Sequence, residues 1–159
     1  MKNLGFLAAM LLLFPGWALA KAYFQGRDEM VTKARAIAIV TISDVEDSEA
    51  KGQHWTYRKK GNAKVETILK GEVPPEFFLY GMETFLCASC PIAEGRFLVF
   101  LKPDGELWTG SNWHLSLRKI ESDSVPWYGE EDGRFDMKAT PLPTVLAEIK
   151  AILARETTE

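Results

Sequence analysis

The chain has 159 residues, 47% of them apolar and 26% charged, with 19 basic against 22 acidic side chains and a net charge of −3. An apolar fraction of that size, spread along the whole length, excludes a coiled coil or a disordered tail. The acidic balance disfavours a nucleic-acid partner, because non-specific affinity for nucleic acid comes from basic side chains neutralising phosphates.

Residues 1–20 carry one charge (Lys2), an apolar run from Leu4 to Phe14, the helix breakers Pro15 and Gly16, and then Ala18-Leu19-Ala20. This is the layout of a cleaved secretory signal, with small residues where a signal peptidase reads. The run is shorter than the ~20 residues that a membrane-spanning helix needs, so no transmembrane segment is expected. Removing twenty residues from 159 leaves 139, a single domain over 21–159. The signal and the low cysteine count point to a bacterial exported protein, in the periplasm rather than the medium. No cysteine follows the cleavage point, which disfavours a lipid anchor there.

Met30 and Val31 are spaced for a short helical turn that leads into the first strand. Residues 35–42 (RAIAIVTI) are apolar and rich in β-branched side chains, as in a strand covered on both faces. The acidic stretch 43–52 reads as a loop. Residues 54–58 (HWTYR) form a second extended segment, 59–64 (KKGNAK) a turn or bulge, and 65–69 a further extended run stopped by Lys70-Gly71 and Pro74-Pro75. Residues 76–80, 97–101 and 106–109 are the next strands. Lys102-Pro103-Asp104-Gly105 is expected to turn between the last two, with Pro presetting the first angle, Asp tolerating the second and Gly accepting a positive φ.

Residues 113–120 add a short strand, and 125–137 a satellite hairpin with Trp127-Tyr128 facing Arg134-Phe135. At the end of the chain Leu142, Val145, Ile149, Ile152 and Leu153 recur at three- and four-residue steps. They place an amphipathic helix over about 141–155, with Pro141 and Pro143 in its first turn and Thr140 as its cap. The expected fold is therefore mainly β: a small closed five-stranded barrel over about 34–118, with the helix lying on the outside of its sheet.

The order Tyr57, Val65, Ile68-Leu69-Lys70-Gly71, a cysteine-bearing stretch, Gly95-Arg96-Phe97-Leu98-Val99-Phe100-Leu101 and Asp104-Gly105-Glu106-Leu107 resembles the bacterial exported relatives of the tissue-inhibitor-of-metalloproteinase (netrin-like, NTR) domain. That family has an OB-fold barrel, and the resemblance implies a binding or inhibitor-like module. It departs from the family at two places. The animal inhibitors grip a protease zinc through an N-terminal cysteine, whereas here the predicted mature chain starts at Lys21 and no cysteine precedes Cys87. The cross-barrel cysteine that many bacterial relatives carry after the fifth strand is missing from Ser111-Asn112-Trp113.

Cys87 and Cys90 are the only two cysteines. In an oxidising compartment, thiols three positions apart end most often as a structural disulfide, whose short loop contributes roughly 2 kcal/mol. The alternative is a thiol-redox or metal-handling pair. Redox use needs a depressed thiol pKa, usually from a helix N-terminus, but Pro91 and then a strand follow. Two thiolates make half a zinc site; His54 and His114 are not at finger-like spacing, and Met82 would complete a soft-metal set with the cysteines. No catalytic constellation, cofactor motif or metal cluster emerges.

The aromatics are the other lead. Trp55, Tyr57, Trp108 and Trp113 lie on or beside barrel strands, with Arg58 among nearby bases, and OB-folds stack ligands on such rings. The expected partner is another envelope or extracellular protein, with a glycan as the weaker choice.

Overall fold

The computed structural model describes residues 23–82, 89–129 and 136–156. The signal over 1–20, Cys87 and the tip of the satellite hairpin (130–135) lie outside these residues. A helix α1 (Arg27–Lys33) precedes strands β1 (Ala36–Lys51), β2 (Thr56–Lys70), β3 (Glu76–Gly81), β4 (Gly95–Asp104) and β5 (Leu107–Gly110). A 3-10 turn (Trp113–Ser116), β6 (Leu117–Lys119), β7 (Ser124–Tyr128), β8 (Met137–Pro141) and helix α2 (Leu142–Glu156) follow. The fold is mainly β with a C-terminal helix. Among the described residues no helix is long and apolar enough to cross a membrane.

The six-stranded sheet runs β1-β2-β3-β5-β4-β6, and β4 also pairs with β1, so the ladder from β1 through β5 returns to its start. All these pairings are antiparallel except β3 with β5, where Leu79 lies opposite Trp108 and Tyr80 opposite Thr109.

The apolar run of β1 is buried on both faces, as its composition predicts. Alternate residues serve different cores. Ala36, Ala38, Val40 and Ile42 pack with Ala63, Leu79, Val99 and Leu101. Ile37 and Ile39 face the other way, onto Leu98, Phe100, Trp127 and α2. On that second side Val145, Ile149 and Ile152 of α2 are buried, along the stripe read from the sequence. Arg118 of β6 is also buried there, its guanidinium over the faces of Tyr128 (4.3 Å) and Trp127 (4.8 Å). The helix α1 buries Met30 and Val31, and its last carbonyls, Val31 O and Thr32 O, accept from Lys70 Nζ at 3.1 and 2.6 Å.

Several expectations are corrected. Residues 43–51 are not a loop, and 59–64 are not a turn: β1 and β2 form one long hairpin. The ion pairs Glu46–Lys60 (3.0 Å), Asp47–Lys59 (2.7 Å) and Glu49–Arg58 (3.0 Å) line it from strand to strand. Gly61 marks a close approach rather than a turn, since a Cβ there would lie 2.7 Å from Ile42 Cγ2. In the satellite hairpin, Trp127 and Tyr128 lie opposite Lys138 and Met137, not Arg134 and Phe135. Thr140 belongs to β8 and donates to Lys138 O; the first amide of α2, Leu142 N, bonds instead to Asp123 O at 2.8 Å.

Candidate functional site

The distal half of the β1–β2 hairpin curls. Its register shifts between Ser43 and Glu46 and again between Asp47 and Ala50, and Asp44 sits at φ 53°. Such bulges bend a strand and increase its twist. The curl carries the connecting loop, residues 52–55, over the end of β4, where Gly52 N bonds to Trp55 O at 2.8 Å.

Asp104, the last residue of β4, is the anchor beneath that loop. It is only 3% exposed. One carboxylate oxygen accepts from the His54 amide (3.0 Å) and from His54 Nδ1 (2.8 Å), and the other accepts from the Tyr57 hydroxyl (2.7 Å). A buried carboxylate survives only when such donors replace its water. Burial alone would push its carboxyl up, but the Tyr57 hydroxyl and both His54 donors hold it below the ordinary carboxylate range. Burial and then the neighbouring carboxylate push the Tyr57 phenol well above its ordinary value, so it remains a donor. Gly52 is required here: a Cβ would stand 2.1 Å from Asp104 Oδ2.

Above this network two indoles meet. Trp55 is 41% exposed and lies edge-on to Trp113, with ring centroids 6.3 Å apart at 76°. Trp113 adopts φ 50°, a left-handed conformation that costs a bulky residue about 1–2 kcal/mol. The preceding residue holds it there: Asn112 N donates to Ser116 Oγ at 2.5 Å, and the Asn112 amide clamps the backbone of Tyr23 and Gln25, both at 3.0 Å. Trp113 is half-buried, and strain held at such a residue beside an exposed indole is a mark of functional sites. Trp55 and Trp113 border a shallow recess with Tyr57, Met82, Cys90, Lys102, Thr109 and Gly110.

Of the residues predicted from sequence, the structure thus brings Trp55, Tyr57 and Trp113 together. Tyr57 is buried and serves as a support rather than a contact surface. Trp108 packs on Phe77, 6.1 Å between centroids, against an interior cluster, and Arg58 is committed to Glu49 on the hairpin. Asp104 and Lys102 carry no site signal in the sequence, where Lys102-Pro103-Asp104-Gly105 reads as a turn; in the structure the first three of these residues end β4 and the turn is Gly105-Glu106. His54 and Asp104 are 50 positions apart, and only the fold joins them.

Cys87 lies outside the described residues. Cys90 carries a free, buried thiol rather than the bridged sulfur expected from the spacing. Its sulfur is turned inward and accepts from the Gly110 amide, so close that a Cβ on Gly110 would lie 2.8 Å away. Burial pushes this thiol up to about 12, which leaves almost no thiolate at neutral pH. Met82 and Cys90 share a backbone bridge and line the same recess. Among the described residues no three His, Cys, Asp or Glu side chains are grouped to hold a metal ion.

The chain matches no protein-family model and no curated protein sequence.

Proposed function

We propose that the chain is an exported, non-enzymatic binding or inhibitor-like module, a netrin-like OB-fold barrel that engages a partner protein of the bacterial envelope through the Trp55–Trp113 end. The returning strand order β1-β2-β3-β5-β4, with its parallel β3–β5 pairing, supports the closed-barrel reading. OB-folds bind ligands with the face of strands 2 and 3 and with the loops between strands 1 and 2 and between strands 4 and 5. One observation carries the proposal: those two loops meet here, the first supplying His54 and Trp55 and the second being rooted on Asp104. An exposed indole on a rigid polar support is the kind of anchor that dominates protein interfaces.

The thiol-redox alternative loses ground, since Cys90 is buried and protonated. The zinc grip of the animal inhibitors is not part of the proposal, because no cysteine precedes Cys87.

The test is affinity capture from a periplasmic extract with the wild-type protein and a Trp55→Ala/Trp113→Ala variant as paired baits. Calorimetry with the purified candidate follows. A protein held by the wild type and released by the variant, with a dissociation constant in the micromolar range or tighter, supports the reading. Identical recovery on both baits refutes it.

A further inference from the structure

Resting on that reading, we infer that the Trp55–Trp113 site recognises a carboxylate of the partner protein, an acidic side chain or chain terminus, lying beside an apolar side chain. The charges around the site are unevenly committed. Arg58, Lys59 and Lys60 on β2 are each neutralised across the hairpin by Glu49, Asp47 and Glu46. Lys102 is exposed, lines the recess with the two indoles, and has no carboxylate partner among the described residues. Its neighbour along β4, Asp104, does not fill that role: its ion pair is with His54, and its carboxylate is buried beneath the 52–55 loop.

A protein of net negative charge therefore presents, beside the two indoles, an ammonium group with no carboxylate partner among the described residues. The indoles contribute in two ways. The exposed ring of Trp55 and the half-buried ring of Trp113 offer apolar area to a neighbouring side chain, and by excluding water they strengthen the attraction between the ammonium and an incoming carboxylate. The Asp104 network keeps Trp55 in place before the ligand arrives, so that little ordering is left to do on binding.

The experiment is selection from a displayed random-peptide library on the immobilised protein, followed by fluorescence-polarisation titration of the leading peptide and its Glu→Gln or C-terminal amide counterpart. The expected result is enrichment of sequences that pair an acid with an aromatic or aliphatic residue. The acid should bind about five- to tenfold tighter than its neutral counterpart at low salt, with the ratio shrinking as salt rises. Lys102→Gln should bring that ratio to about one while retaining the apolar preference, and its unchanged melting temperature shows that the fold is intact. Trp55→Ala should abolish both preferences. Enriched peptides without acids, or a ratio unchanged in Lys102→Gln, would overturn the inference and leave the binding reading standing. No enrichment on the wild-type protein over a control surface would remove both. Tighter binding of a uronate oligosaccharide than of the peptides, read by tryptophan quenching, would replace the protein carboxylate with a glycan one.

Discussion

Tyr57→Phe isolates the contact on which the loop support depends. The substitution keeps the ring, its tilted packing on Tyr80 (6.0 Å) and the interior volume, and removes only the hydroxyl that donates to Asp104 at 2.7 Å. A hydrogen bond to a charged group is worth about 1.5–3 kcal/mol, and with both partners at least 97% buried little of this is screened. The variant should therefore lose about 2 kcal/mol, or roughly 8 °C of melting temperature for a domain of this size.

The loss has a defined pH dependence. The folded Asp104 carboxyl lies below its unfolded value, so its contribution is complete above the ordinary carboxylate pKa of about 4 and fades as pH falls through the lower folded value. The Tyr57 phenol is raised on folding, so the wild type gives up additional stability as pH climbs past about 10, and the variant does not. Urea unfolding followed by tryptophan fluorescence at pH 7 and pH 3 reads both quantities. A loss under 0.5 kcal/mol at pH 7, or an equal loss at the two pH values, would refute the account of Asp104 as a buried, charged anchor.

Gly52→Ala should cost as much as Tyr57→Phe or more, since its Cβ would displace the same carboxylate oxygen; combining the two in a thermal-melt cycle should give less than the sum of the separate losses. In a Cys87→Ser background, Cys90 should resist iodoacetamide at pH 8 for hours and react fully in denaturant, and labelling of the native protein would contradict the inward-turned thiol. Ile149→Ala should destabilise by about 2–5 kcal/mol in urea unfolding, because its side chain is fully buried between α2 and the sheet. Trp55→Ala should cost under about 1 kcal/mol by the same assay, as expected of an exposed residue placed for contact rather than for packing.

Legibility followed locality. The run 35–42 and the stripe of α2 are each visible because the cause lies within a few residues: β-branched composition and helical period. The β4–β5 turn is displaced from its expected place: Pro103 and Asp104 still pair with Trp108 and Leu107, and only Gly105 and Glu106 turn. The second half of the β1–β2 hairpin is held by ion pairs whose partners are up to 14 positions apart, so its acidic and basic halves look like two solvated loops when read singly. Gly61 carries the same ambiguity, as a glycine that bends and a glycine that admits a neighbour look alike in a sequence. The cap of α2 comes from Asp123 O, beyond any local rule. At the site the aromatic signal marks Trp55, Trp113 and Trp108 alike; the polar neighbours on both sides of the first two, against Leu107 beside Trp108, are the only local hint that Trp108 packs inward. Nothing in the sequence marks the contact of His54 with Asp104.

Because β1 contributes neighbouring residues to opposite sides, Ala36, Ala38, Val40 and Ile42 to one and Ile37 and Ile39 to the other, neither side can be dismantled while its counterpart persists. A single-residue deletion in this strand would exchange the two sets, driving isoleucines into slots shaped for alanine and leaving hollows opposite. Damage at that one place reaches the helix-covered side and the ring interior together, so the protein should melt as one unit.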